Sequence, residues 1–239
     1  MKNIAQYLDA TFLKTEKEGL SQEEIQKNID QLIQEAYQLK VKLVMVRPEF
    51  VSYAKEQLQE VKSKVGVGTV IDFPHGDGGV EQKLLEAQQA IEKNADDLDF
   101  VIDYKAFQKG AIDQVKDEVY RCSLLGLQNN KIVKWIIETA ALSDQEIIKI
   151  TSLIKKVIVS KFEEKYYDKV FVKSSTGFFQ TVDGSPNGAN RHVITLMLEN
   201  ATPLLVKASG GVRTKEEAEA MISLGVKRIG TSSHANVLK

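Results

Sequence analysis

Short apolar runs alternate along this chain with longer segments in which apolar residues recur every three or four positions. A strand buried on both faces reads as a nearly continuous apolar run, whereas a helix packed on a sheet is apolar along one stripe. The alternation therefore predicts β-strands followed by amphipathic helices. The predicted strands are residues 7–13, 41–46, 65–71, 98–102, 133–137, 170–173, 204–207 and 226–229.

Several of the longer segments begin with residues that cap helices. Ser21, Ser143 and Thr214 are each followed three positions later by Glu. This spacing lets the two side chains bond the free backbone N–H groups of a first helical turn. Helices are therefore expected over residues 21–39 and 143–158, and a third is expected to open at Thr214.

The strict alternation of strand and helix predicts one parallel sheet joined by right-handed crossovers. Eight such units fit an α/β fold of the closed (β/α)8 type, the TIM barrel, as a single domain over residues 1–239 with a short extra helix near the N-terminus. An open doubly wound sheet is the alternative. The Gly-x-Gly-x-x-Gly turn expected after an early strand of that fold is missing.

Composition and charge bear on the binding partners and on the location of the protein. The formal net charge of −1 gives no electrostatic reason to expect nucleic acid or an anionic membrane. No apolar run approaches the ~18 residues that cross a membrane, and the first residues lack the apolar core of a signal peptide. The single Cys122 excludes an intrachain disulfide. We therefore expect a cytoplasmic protein, with the oligomeric state left open and a homodimer as one arrangement.

Two predicted strands each end in a lysine followed by small residues. Lys173 precedes SSTG, and Lys207 precedes ASGG. Burial disfavours a charged amine and lowers its pKa, so a buried lysine needs a carboxylate partner or a chemical role. Two facing lysines lower the pKa further and supply the neutral amine that attacks a carbonyl group. The pair predicts Schiff-base chemistry, with a structural ion pair between Lys173 and Glu138 as the alternative.

Functional groups of such a barrel lie at the C-terminal ends of the strands and in the loops that follow. Asp97, Asp99 and Asp103 share one face of their strand, and only the middle of that face points into the mouth of the barrel. Asp99 is therefore the best placed carboxylate. Lys134 lies earlier in its strand and is expected in an ion pair at the bottom or in the interior of the barrel.

Glycine-containing turns follow the last two predicted strands, where barrels of this kind often hold phosphate with backbone N–H groups. Glycine lets the backbone approach a ligand closely, and serine hydroxyls can donate to phosphate oxygens. The candidate phosphate ligands in these turns are Gly210, Gly211, Ser232 and Ser233.

Motifs spread from residue 8 to residue 233 make the chain resemble the deoxyribose-phosphate aldolases. The segments that carry the resemblance are LDAT at 8–11, VRPEFV at 46–51, VGTVIDFPHG at 67–76, ADDLD at 95–99, IIET at 136–139, VKSSTG at 172–177, KASGGVRT at 207–214 and IGTSS at 229–233.

The resemblance implies a class I aldolase, a lyase that uses no metal or other cofactor. Such enzymes cleave 2-deoxy-D-ribose 5-phosphate reversibly to acetaldehyde and D-glyceraldehyde 3-phosphate in deoxynucleoside catabolism. It implies Lys173 as the Schiff-base lysine, Lys207 as the cation that lowers its pKa, and Asp99 as the carboxylate of the proton relay. The iminium is expected to act as the electron sink while the C3–C4 bond breaks. Substrate and phosphate contacts are expected at Asp9, Thr11, Thr176, Gly177, Gly210, Gly211, Ser232 and Ser233.

The sequence departs from the family pattern in several places, among them Ser174-Ser175 where Thr-Ser is commoner. Ala10 stands where many relatives carry His, Met45 stands where they carry a small residue or Cys, and the sequence ends at Lys239 without the terminal Tyr of some relatives. Two other functions remain open: a phosphosugar isomerase or epimerase with a lone carboxylate base, and a non-catalytic phosphosugar-binding protein. The paired lysines argue against the first, and the complete set of candidate catalytic residues argues against the second. A metal-dependent aldolase is least expected, because the three histidines lack a ligand spacing.

Overall fold

The β-strands form a closed parallel barrel in which each strand pairs with the next and the last pairs with the first. The computed structural model describes residues 3–181, 184 and 188–239. The predicted TIM barrel is confirmed. Its strands are β1 (Leu8–Thr11), β2 (Leu43–Val46), β3 (Gly66–Ile71), β4 (Asp97–Val101), β5 (Ile132–Ile136), β6 (Val170–Lys173), β7 (Leu205–Ser209) and β8 (Arg228–Thr231).

Several strand ends differ from those predicted, and two of the differences fall at a charged residue of the barrel interior. β4 begins at Asp97, one residue earlier than predicted, and β8 begins at Arg228, two residues later. β7 continues to Ser209. Apolar runs locate a strand by its buried side chains, so they fail where an interior-facing residue carries a charge.

The helices pack around the barrel, and each predicted capping box is present. The Ser21 hydroxyl accepts from the backbone N–H of Glu24, whose carboxylate accepts from the Ser21 N–H at 2.8 Å. A single 3₁₀ turn at Ile4–Tyr7 stands where the extra helix was predicted. The α-helices are α1 (Gln22–Leu39), α2 (Val51–Glu60), α3 (Val80–Glu92), α4 (Tyr104–Gln108), α5 (Ile112–Gln128), α6 (Asp144–Lys161), α7 (Arg191–Ala201), α8 (Lys215–Leu224) and α9 (His234–Val237).

The main apolar core lies between the barrel wall and the helices. Trp135 on β5 is fully buried there, stacked on Phe100 with ring centroids 5.1 Å apart, and its indole N–H donates to the Ser123 hydroxyl. A smaller apolar cluster contains Leu13 and Met45. In the described part of the chain, no helix combines the length and the apolar character needed to span a bilayer. This outer core leaves the barrel interior free to hold polar groups.

Candidate active site

The two predicted lysines and the predicted aspartate meet inside the barrel. Lys173 and Lys207 are register partners on neighbouring strands, so their side chains point to the same face. Each amine lies 3.0 Å from Oδ2 of Asp99, which reaches them from β4. One carboxylate oxygen therefore joins the two amines.

The second oxygen of Asp99 is held by a third lysine. Lys134, the register partner of Asp99 on β5, places its amine 2.6 Å from Oδ1 of Asp99 and 2.7 Å from Oδ2 of Asp97. The predicted ion pair of Lys134 is present, but its partner is the candidate relay carboxylate itself. Burial opposes ionisation of Asp99, yet Lys134, Lys173 and Lys207 hold its pKa well below the usual range.

Asp9 lies below the candidate lysines and has no exposed surface. Its Oδ2 is 2.5 Å from the Lys207 amine, and its Oδ1 pairs with the Arg228 guanidinium, which also reaches Asp97 at 3.3 Å. Burial again opposes ionisation, but Arg228 and Lys207 together lower the Asp9 pKa to about 2. Asp9 thus pairs closely with Lys207 and Arg228, has the Lys134 amine 3.9 Å away, and is shielded from the cavity.

These contacts build one ionic network inside the barrel. Its members are the carboxylates of Asp9, Asp97 and Asp99 and the cations of Lys134, Lys173, Lys207 and Arg228. Three negative charges balance three positive charges, so a protonated Lys173 is the one excess charge. Burial is the largest cause that lowers its pKa; Asp99 opposes the shift, Lys207 adds to it, and the pKa falls to about 8.

A cavity of about 380 Å³ opens above Lys173 at the C-terminal end of the barrel. Lys173 lines it with 2% of its surface exposed, whereas Lys207 is fully buried. Thr11 lines the cavity too, and its hydroxyl donates to the Asp9 carbonyl at 2.9 Å. Of the two lysines, Lys173 is the one that a molecule in the cavity can reach.

The predicted phosphate-binding turns lie around the same cavity. Gly177, Gly210 and Gly211 line it with φ of +80°, +82° and +85°, a left-handed backbone that favours glycine. Ser232 lines it as well, beside Ser233, whose backbone N–H donates to the Thr231 hydroxyl at 2.9 Å. The exposed guanidinium side chain of Arg213 adds a positive charge to the lining. The cavity thus has an amine at its floor and a glycine-rich, cationic rim.

Glu138 contacts the segment after Lys173 and leaves the lysine itself to Asp99. Its carboxylate accepts from the hydroxyls of Ser175, at 2.8 Å, and Thr176. It also accepts from the Thr176 backbone N–H at 3.3 Å. The alternative of a direct ion pair between Lys173 and Glu138 is therefore wrong.

Sequence reasoning missed the roles of Asp97 and Arg228 in this network. Asp97 lies two residues before Asp99 on one strand, and Arg228 is the register partner of Lys207. The strand period of two placed Asp97 on the face of Asp99 but assigned it no contact, whereas Arg228 lay inside a strand whose start was predicted two residues early. Within the residues described, no group of three or more His, Cys, Asp or Glu side chains is arranged to hold a metal ion.

Comparison with known proteins agrees with this geometry. A family model described as the DeoC/LacD family aldolase matches residues 4–233. The deoxyribose-phosphate aldolase of Thermococcus gammatolerans is 38% identical over 99% of this chain and 96% of its own length. That of Staphylococcus saprophyticus is 36% identical over the same shares.

Solved structures give the same assignment. A protein described as QR15, an aldolase, matches with a TM-score of 0.81 and 30% identity over 100% of this chain and 95% of its own. The tetrameric deoxyribose phosphate aldolase of Aeropyrum pernix matches with a TM-score of 0.79 and 25% identity over 98% of this chain and 89% of its own. With its barrel, its paired lysines and relatives that align over nearly the whole length, this chain belongs to the DeoC/LacD family of aldolases.

Proposed function

We propose that this aldolase cleaves 2-deoxy-D-ribose 5-phosphate reversibly to acetaldehyde and D-glyceraldehyde 3-phosphate through a Schiff base on Lys173. The observation that carries the proposal is the position of the Lys173 amine. Of the four cations described in the ionic network, it alone lines the cavity, and its pKa is lowered to about 8. The names of the relatives support the choice of substrate.

The first step needs a neutral amine. With a pKa of about 8, about a tenth of Lys173 is neutral at pH 7, against roughly one part in three thousand for a lysine of ordinary pKa. The neutral amine adds to the C1 aldehyde of the open-chain sugar. The carbinolamine then loses its hydroxyl as water, with Asp99 and a water molecule moving the protons, and an iminium forms.

The iminium accepts the electron pair of the bond that breaks. The 3-hydroxyl loses its proton, C3 becomes the aldehyde carbon of glyceraldehyde 3-phosphate, and the electrons of the C2–C3 bond form an enamine on Lys173. Counting carbons corrects the bond expected from sequence, because acetaldehyde carries away C1 and C2 and leaves C3–C4 intact. Protonation of C2 and hydrolysis of the iminium release acetaldehyde and restore the amine.

The phosphate would bind at the glycine-rich rim of the cavity. Gly210 and Gly211 would bring backbone N–H groups close to its oxygens, while Ser232 would offer a hydroxyl and Arg213 a positive charge. Ser233 belongs to the same turn as Ser232 and would serve by shaping it. The N–H of Gly177 donates to the Ser175 hydroxyl at 2.9 Å, so Gly177 would serve by leaving room for the phosphate. Anchoring one end of the sugar holds C1 over Lys173 and reduces the entropy that the reaction must lose.

Asp9 takes a different part from the one expected, whereas Thr11 keeps the expected one. Because Asp9 is bound by Lys207 and Arg228 beneath the cavity, we assign it to holding Lys207 in place rather than to a sugar hydroxyl. Thr11 lines the cavity and keeps its place as a contact for a substrate hydroxyl. A cytoplasmic location, a homodimer and independence from metals belong to the same proposal; activity that survives EDTA would support the last.

Trapping with borohydride tests the proposal. The protein is incubated with 2-deoxyribose 5-phosphate or acetaldehyde, reduced, digested and analysed by mass spectrometry. We expect the adduct on Lys173 and its loss in Lys173→Met, with Lys131→Met as a control that leaves it intact. An adduct on Lys207 would reverse the roles of the two lysines. Folded protein without an adduct on either lysine would rule out the Schiff-base mechanism.

A further inference from the structure

Glu138 is a buried carboxylate at the edge of the cavity that the mechanism above does not use. It is 1% exposed and follows β5 in a left-handed backbone conformation, with φ of +53°. This conformation is uncommon for a residue with a side chain and costs of order 1–3 kcal/mol. The conformation aims the carboxylate at the segment that follows Lys173 on the neighbouring strand.

The contacts of Glu138 fix the direction in which the Thr176 hydroxyl donates. The hydroxyl gives its hydrogen to Oε2 of Glu138 and accepts the backbone N–H of Phe178 at 3.0 Å. A hydroxyl has one hydrogen and two lone pairs. With the hydrogen and one lone pair engaged, Thr176 keeps a single lone pair for a further partner.

Thr176 lines the same cavity as Lys173. Its free lone pair can only accept a hydrogen bond, so it selects a group that carries a hydrogen on oxygen or nitrogen. We propose that Glu138 is a positioning residue that makes Thr176 an acceptor in the cavity, where Thr176 receives the hydrogen of a substrate hydroxyl or of the relay water beside Lys173. This inference rests on the proposed function and deepens it.

The acceptor role has a consequence for the relay. A water or hydroxyl that donates to Thr176 turns its own lone pairs away from Thr176 and keeps them available to take a proton elsewhere. If Thr176 donated instead, the same water would lose a lone pair to it. Glu138 imposes the first arrangement in its ionised form, because an ionised carboxylate only accepts hydrogen bonds. Burial raises the pKa of Glu138, and the hydrogen bonds from Thr176 and Ser175 oppose that rise by stabilising the ionised form.

Kinetics of variants test the role of Glu138. Glu138→Met removes the acceptor and frees the Thr176 hydrogen, and Thr176→Val removes the hydroxyl at nearly constant shape. We expect each to lower kcat ~10–100-fold, the effect of losing a hydrogen bond to a charged group. Glu138→Gln and Thr176→Ser keep the acceptor and the hydroxyl, so both should stay within about tenfold of the wild type.

The double variant separates positioning from general support of the fold. If Glu138 acts through Thr176, Glu138→Met should lower kcat little further in a Thr176→Val background. Each measured rate is divided by the amount of Lys173 that borohydride traps, so that misfolded protein does not lower the apparent kcat. The proposal would be overturned if the losses of kcat in Glu138→Met and Thr176→Val added up in the double variant, or if Thr176→Val kept full activity. If Glu138→Met does not fold, the Thr176 variants and Glu138→Gln still decide it.

A second buried carboxylate provides the matched control. Glu118 is 2% exposed, accepts the Asp103 N–H at 3.1 Å and does not line the cavity. We expect Glu118→Gln to lower stability but to leave kcat per trapped site unchanged. If the wild type forms no adduct, the proposed function itself is wrong. If the wild type forms the adduct but the Thr176 and Glu138 variants keep the wild-type kcat, only this inference is wrong.

Discussion

At the scale of one residue, the lowered pKa that makes Lys173 reactive also destabilises the folded state. An amine with a pKa of 10.5 in the unfolded chain and about 8 in the barrel prefers the unfolded chain whenever it is protonated. At pH 7, below both values, the folded state therefore bears the whole penalty. Between about pH 8 and pH 10.5 the unfolded chain binds more protons than the folded one, so the stability rises with pH.

We predict that Lys173→Met abolishes adduct formation and also stabilises the fold at pH 7. The fall of the Lys173 pKa from 10.5 to about 8 sets an upper limit near 3 kcal/mol, so a gain of roughly 1–3 kcal/mol in the free energy of unfolding is expected. Urea unfolding at pH 7 and at pH 10 measures it. The gain should shrink at the higher pH, and an equal gain at both would show that the protonated amine is not its source.

Lys134 matters to Lys173 through charge as well as through Asp99. It adds to the lowering of the Lys173 pKa and holds Asp99 ionised. We predict that Lys134→Met raises the Lys173 pKa, because a neighbouring positive charge is lost. The acid limb of kcat/KM should move to higher pH, with a loss of ~10-fold or more at pH 7. Profiles of wild type and of the control Lys131→Met should coincide; an unmoved limb in Lys134→Met would contradict the charge argument.

At the scale of an element, a glycine on strand β8 leaves room for the Lys207 side chain on the neighbouring strand β7. Gly230 pairs with Ser209 on β7 and with Asp9 on β1. A Cβ at Gly230 would lie 3.0 Å from the Ser209 hydroxyl and 3.1 Å from Cε of Lys207. Both separations are tighter than ordinary packing, so the absence of a side chain leaves room for the stem of Lys207.

We predict that Gly230→Ala displaces Lys207 and lowers kcat/KM ~10–100-fold while the barrel still folds. Gly66→Ala is the matched control, because a Cβ there meets Asp96 and Leu43 at 3.3 Å, away from the lysines. Steady-state kinetics and thermal unfolding of both variants measure the effect. Equal losses of activity in the two would mean that crowding of a strand, rather than movement of Lys207, is responsible.

The sequence allowed the elements to be predicted where local chemistry sets them. Ser21, Ser143 and Thr214 marked helix starts because a capping box acts within one turn. The start of β8 was misplaced because the ladder with β7 and β1, not an apolar run, determines it. Lys173 and Lys207 were found from their positions at strand ends, and Asp99 from its place on one face of its strand. The contacts of Lys134 with Asp99 and of Arg228 with Asp9 depend on the register between strands that are far apart in the sequence.

At the scale of the whole molecule, the ionic network joins the first strand to the last two. Asp9 on β1 holds Lys207 on β7 and Arg228 on β8. The pairs lie 198 and 219 residues apart along the chain and are buried at the seam where the barrel closes. Closure of the sheet and assembly of the site are therefore the same event.

We predict that Asp9→Asn costs about 3–5 kcal/mol in the free energy of unfolding, because it leaves two buried cations short of a partner. Asp113→Asn removes an exposed carboxylate and should leave the free energy of unfolding almost unchanged. Urea unfolding of both variants provides the comparison. A small effect of Asp9→Asn would show that the seam does not depend on this carboxylate.

The same seam determines when the chain becomes chemically reactive. In the unfolded chain Lys173 has the ordinary pKa of a lysine, and only roughly one in three thousand of its amines is neutral at pH 7. A chain that has not yet folded, or whose barrel has opened, therefore has no activated amine with which aldehydes in the cell could react. The nucleophile is switched on when the barrel closes and is switched off again when the barrel opens.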